Sequence, residues 1–106
     1  MAYDKTHFDK NEVARVEFLL KAFNQLGSSE KIKGFLGDLM TPKEIKEFAN
    51  RLDIARKLVE TDLSYREIAK ENDTSTATVT RVAWFLENGY GGYRELLGEK
   101  NHSVRE

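Results

Sequence analysis

Apolar residues along this chain recur at three- and four-residue steps, and nowhere do β-branched residues alternate with polar ones over a strand's length. That spacing lines one face of a helix, so the sequence predicts an all-α fold of about six helices. Val13, Val16, Leu19, Leu20, Phe23 and Leu26 form the first stripe and predict a helix over residues 12–26. Gly27-Ser28-Ser29 interrupts it, and Ser28 or Ser29 can cap a short second helix through Ile32, Phe35 and Leu36 that ends at or near Gly37.

The third helix has the clearest start. Thr41-Pro42-Lys43-Glu44 places an N-cap hydroxyl, a proline at the first helical position and a glutamate at the third, each suited to a helix's orphan amides. Ile45, Phe48, Leu52, Ala55 and Val59 then carry an amphipathic helix to Thr61-Asp62. A second capping box, Ser64-Tyr65-Arg66-Glu67, opens a short helix with Ile68 and Ala69 on its buried side. Asn72-Asp73-Thr74 supplies a turn, since Asn and Asp tolerate the left-handed conformation. A further helix is expected over residues 75–87, and a last short one over residues 93–97. The chain reads as one domain over residues 1–98 with a polar, frayed tail at 99–106.

Two short helices joined by a tight turn make residues 64–87 a helix-turn-helix, whose second helix enters the DNA major groove. Val79, Val82 and Leu86 give that helix a buried stripe, and Thr76, Ala77, Thr80, Arg81 and Trp84 fall on the opposite side. Thr hydroxyls can bond base edges, and Ala or a Thr methyl can meet the thymine methyl. Residues 74–81 contain no acid. The expected DNA-binding set is Arg66, Lys70, Thr74, Ser75, Thr76, Ala77, Thr80 and Arg81, with Arg66, Lys70 and the amides opening the second helix on phosphates. Trp84 is expected to be partly covered by a neighbour such as Tyr90 or Tyr93.

Charge argues the other way. The chain has a net charge of −1, and within residues 64–87 Arg66, Lys70 and Arg81 face Glu67, Glu71, Asp73 and Glu87. Basic help would come from the third helix, through Lys43, Lys46, Arg51, Arg56 and Lys57. A protein-interaction module using the same helices is therefore the alternative reading. An enzyme is disfavoured: there is no cysteine, His7 and His102 lie near the two ends, and Gly89, Gly91 and Gly92 make no nucleotide fingerprint. No catalytic residue, metal site or cofactor is expected. No apolar run approaches the roughly 18 residues of a membrane span, and the N-terminus lacks a signal-peptide core, so a cytoplasmic protein is expected.

Leu39-Met40-Thr41-Pro42 with Glu44 and Arg51, followed by Ser64-Tyr65-Arg66-Glu67 through Ala77-Thr78-Val79-Thr80-Arg81, resembles the Trp repressor family. The resemblance runs from about Leu39 to Leu97. It implies an intertwined helical homodimer that binds a palindromic operator and represses transcription, two recognition helices reading half-sites about one DNA turn apart. It also implies a corepressor site lined by Thr41, Arg51, Thr78 and Arg81. Two positions depart from the family: Val82 stands where it has glycine, and Phe85 where it has serine. The expectation is that Val82 and Phe85 fill this pocket, so that the protein does not respond to tryptophan, a small-molecule corepressor is doubtful, and Arg51 and Arg81 serve as phosphate or ion-pair contacts. A regulator with a different small-molecule effector remains an alternative.

Overall fold

A computed structural model describes residues 7–99. Those residues form six helices and no strand: α1 Lys10–Leu26, α2 Ser29–Leu39, α3 Pro42–Glu60, α4 Tyr65–Glu71, α5 Thr76–Asn88 and α6 Gly92–Leu97. The all-α reading holds, while the expected tail beyond Glu99 lies outside the described residues. The chain divides into two compact units, one ending at Pro42 and the other beginning at Lys43.

In the first unit, Asp9 starts α1 two residues ahead of the sequence expectation. Its carboxylate accepts the Glu12 N–H at 2.9 Å, and Glu12 accepts the Asp9 N–H at 3.0 Å, completing a capping box. Gly27 closes the helix at a φ of 73°, a left-handed conformation natural to glycine. Ser28 caps α2 by accepting the Lys31 N–H. Gly37 does not end α2, which continues to Leu39; the chain turns extended at Met40, two residues ahead of Pro42. The helix carries the cost of glycine, about 1 kcal/mol relative to alanine, within its last turn. Phe23 and Phe35 meet edge to face at 5.4 Å and join α1 to α2. No residue of either helix is buried.

The second unit holds the core. Ile54, Ala55, Leu58 and Val59 of α3 pack with Ile68 and Ala69 of α4 and with Val79, Val82 and Leu86 of α5. Leu63, Tyr65, Ala83, Tyr93 and Leu97 extend this cluster, so α6 is tied to it as well. Ile54, Leu58, Ile68 and Val79 are fully buried, each contributing about 1.5–3 kcal/mol of hydrophobic stabilisation.

Two helix starts fix the hairpin between α4 and α5. Ser64 Oγ accepts the Glu67 N–H at 3.1 Å and Glu67 Oε1 accepts the Ser64 N–H at 2.8 Å, the capping box expected from the sequence. Hydrogen bonding to the carboxylate from the Ser64 N–H first, and from the Ser64 hydroxyl second, lowers the Glu67 carboxyl below its ordinary range. Ser75 caps α5 through the Thr78 N–H. Between them the chain turns in a Schellman motif: the Asp73 N–H reaches the Lys70 carbonyl at 3.3 Å, and the Thr74 N–H reaches the Ala69 carbonyl at 2.9 Å. The motif needs a left-handed residue, and Asp73 adopts it at a φ of 51°. No glycine is required.

Candidate nucleic-acid interface

The hydroxyl-rich face of α5 is where helical phase places it. Thr76, Ala77, Thr80, Arg81 and Trp84 are exposed, opposite the buried Val79, Val82 and Leu86. Thr74 is half-buried. Ser75 is exposed, yet its hydroxyl is occupied by the α5 cap and by Thr78 Oγ1 at 3.1 Å, so its role is to shape the helix start. Arg66 and Lys70 of α4 are exposed, and neither enters an ion pair among the described residues. These two cations remain available to phosphates.

The cations of α3 divide into two sets. Arg56 pairs with Asp53 and Glu60, and Lys57 pairs with Glu71 at 2.9 Å and Asp53 at 3.3 Å. The basic help expected from Arg56 and Lys57 is therefore used inside the protein, because Asp53 and Glu60 stand three or four residues away along α3 and Glu71 meets Lys57 from α4. The same pairing removes part of the charge objection, since Glu71 is neutralised by Lys57.

At the centre of this network is Asn72, a residue assigned by sequence only to the turn. Its Nδ2 donates to Asn50 Oδ1 at 2.8 Å and to Asp53 Oδ2 at 3.0 Å, and its Oδ1 accepts from Lys57 Nζ at 2.8 Å. Asn50 Nδ2 in turn donates to the Asn72 carbonyl at 3.3 Å. Asn50, Asp53 and Lys57 recur at steps of three and four along α3, a polar stripe that could have been found by the same periodicity as the apolar one. Hydrogen bonds from Asn72 and Arg56, with Lys57 beside them, hold the Asp53 carboxyl at about 2, against burial that acts the other way. Glu71 and Asp53 raise the Lys57 ammonium above its ordinary value.

Behind α5 lies an open cleft of about 550 Å³. Arg51 of α3 and Thr78, Arg81, Val82 and Phe85 of α5 form one part of its wall, and Gly89, Tyr90, Gly92 and Tyr93 form the rest. In the sequence Gly89 and Gly92 read only as a helix stop and turn, and Tyr90 and Tyr93 as possible covers for Trp84. Thr41, expected in the same site, belongs to the other compact unit. Gly89 sits where no side chain fits: a Cβ there would lie 2.5 Å from the Phe85 carbonyl oxygen. Arg51 stacks its guanidinium 5.3 Å from the Phe48 ring centre, and neither Arg51 nor Arg81 finds an ion-pair partner among the described residues. Burial raises the Tyr93 phenol above its ordinary value, with the Arg51 charge acting in the opposite sense. Trp84 is 54% exposed and meets Phe85 edge to face at 5.0 Å, so its covering neighbour is Phe85 rather than Tyr90 or Tyr93.

Residues 14–101 match the model of the family described as Trp repressor protein. The chain belongs to the Trp repressor family. It is 35% identical over 98 residues to the uncharacterized protein YerC of Bacillus subtilis (strain 168), across 92% of this chain and 93% of that one. No solved structure matches it significantly. The family is one of DNA-binding helix-turn-helix regulators and not of enzymes. Among the described residues, no helix is long and apolar enough to cross a membrane, and no group of three or more His, Cys, Asp or Glu side chains is placed to hold a metal.

Val82 and Phe85, expected to fill the corepressor site, both stand on the wall of this cleft. Val82 belongs to the buried stripe of α5, and its isopropyl group is only 3% exposed, taken up by the core with Val79 and Leu86. Phe85 is half-exposed and lines the cleft without filling it. Arg51 and Arg81, expected as phosphate or ion-pair contacts, stand on its wall.

Proposed function

We propose that this protein is a sequence-specific regulator that binds double-stranded DNA as a homodimer and represses transcription by occupying a promoter. The observation that carries this reading is the exposed, acid-free face of α5, which presents Thr76, Ala77, Thr80 and Arg81 beside Arg66 and Lys70 of α4, cations without an acidic partner among the described residues. Short side chains let a helix lie deep in the major groove, and the flanking cations fix it on the phosphates. The half-exposed apolar stripe of α1 and the absence of any buried residue in α1 or α2 support a second chain as the missing cover. A two-fold dimer would read a palindromic operator in adjacent major grooves. The protein acts in the cytoplasm on this reading. Selection of bound duplexes from a random library tests it: a palindromic consensus supports it, and no binding of any duplex at micromolar protein and low salt favours the protein-interaction alternative.

The cleft favours a second reading, in which a small molecule other than tryptophan tunes DNA binding. Its wall offers two guanidinium groups and several aromatic rings but no carboxylate to meet an ammonium group. Phe85 also stands where the family has a serine, removing a polar contact to a ligand's amino group. An aromatic carboxylate without an amine fits this lining better than an amino acid does. Calorimetric titration with tryptophan and with indole-3-propionate separates the two; micromolar tryptophan binding would overturn the exclusion.

A further inference from the structure

The turn between α4 and α5 is fastened to α3 by a set of bonds that the DNA-binding reading does not use. Asn72 carries it. Its amide spends both kinds of group on α3, donating to Asn50 and Asp53 and accepting from Lys57, while its own carbonyl accepts from the Asn50 amide. Lys57 continues the chain to Glu71 at the end of α4. The charged groups facing Asn72 are thus Asp53 and Lys57 from α3 and Glu71 from α4, with Arg56 reaching Asp53 from the outside.

Apolar packing alone would hold the hairpin to α3 within a preferred range of angles, leaving a scatter of about 15–20°. Ile54, Ala55 and Leu58 supply that packing. Hydrogen bonds are directional, and four of them converge on one residue placed immediately before the left-handed Asp73. Three anchor points at successive turns of α3 fix the direction in which the chain leaves the turn. They thereby set both the tilt and the register of α5.

We infer that Asn72 is a positioning residue for DNA recognition: clamped by Asn50, Asp53 and Lys57, it sets the angle at which α5 enters the major groove. It touches no DNA itself, and the inference rests on the DNA-binding reading above. The turn's own bonds fix its local shape, and the clamp ties that shape to α3. Lys57 is part of the same brace, which is why this cation is turned inward rather than offered to a phosphate.

The test uses the full chain with Asn72→Ala, Asn50→Ala and the double variant, none of which alters charge, so phosphate attraction is unchanged. Affinity is measured for the operator selected from the library and for random duplex, well below the melting temperature of each variant. Each single variant is expected to lose about tenfold in operator affinity while random-duplex affinity is held, lowering the specificity ratio. The double variant should lose less than the two single losses combined, because the bond from Asn72 Nδ2 to Asn50 Oδ1 is already removed by either change. Unchanged specificity ratios, with only a lower melting temperature, would overturn the positioning role and leave the DNA-binding reading intact. Failure of the unsubstituted protein to bind any duplex would overturn both. Asn50→Ala guards against misfolding, since alanine suits the interior of α3 better than asparagine does.

Discussion

The Asn72 side chain donates to Asp53 Oδ2 at 3.0 Å, and this bond is the largest of the influences that hold the Asp53 carboxyl at about 2. The ionised form is therefore favoured in the folded state. A depressed carboxyl contributes stability above its ordinary value of 3.8 and loses that contribution as pH falls toward 2. With solvent screening around a partly exposed side chain, the contribution is about 1 kcal/mol. Urea unfolding between pH 5 and pH 2 should show the native chain losing this much more than Asp53→Asn does. Equal pH dependence in the two proteins would remove the ion pair from the account.

Asp73 occupies the left-handed position of the Schellman turn at a φ of 51°. An L-residue is strained there, and glycine is not. Asp73→Gly is expected to raise stability by about 0.5–1 kcal/mol, whereas Asp73→Val should lower it by more than about 1 kcal/mol. Thermal melting of the two variants decides the sign in each case.

Ser64 and Glu67 satisfy two amides at the start of α4. Ser64→Ala removes the acceptor for the Glu67 N–H and should cost about 1 kcal/mol. Ser64→Asp keeps an acceptor there and should recover most of it. Denaturation midpoints of the three proteins give the comparison.

Arg66 and Lys70 are exposed cations without an acidic partner among the described residues. Replacing either with alanine should weaken DNA binding uniformly across sequences and reduce the slope of log affinity against log salt by about 1. Arg56→Ala should leave that slope unchanged, because Arg56 is already paired with Asp53 and Glu60. Filter-binding titrations at several salt concentrations distinguish the two behaviours.

Helix order and most boundaries were legible in the sequence because apolar spacing and capping residues act locally. Ser64 with Glu67 marked its helix through bonds that span three residues, whereas Ser75, counted within its helix by the sequence, is the cap just outside it. Gly37 marks the end of α2 only to within two residues, because glycine is a weak breaker near a helix end. The interface face of α5 was legible for the same reason as the helix itself. The Asn72 clamp was not, since its partners lie 15 to 22 residues away and nothing local links them. Val82 looks like a plug from the family resemblance because a matched position gives the size of a side chain without its direction. Its burial beside Val79 and Leu86 was already implied by the i, i+3, i+7 spacing.

Gly89 bends the chain away from α5 so tightly that its α-hydrogen faces the Phe85 carbonyl, and any larger group collides with backbone. Neither atom of that collision belongs to a side chain that could swing aside. Position 89 is thus closed to substitution, and variety in the cleft lining must come from the side chains around it. Phe85, Tyr90 and Tyr93 line the same cleft with side chains rather than backbone. A descendant acquiring a new ligand would be expected to rewrite those three and inherit the glycine.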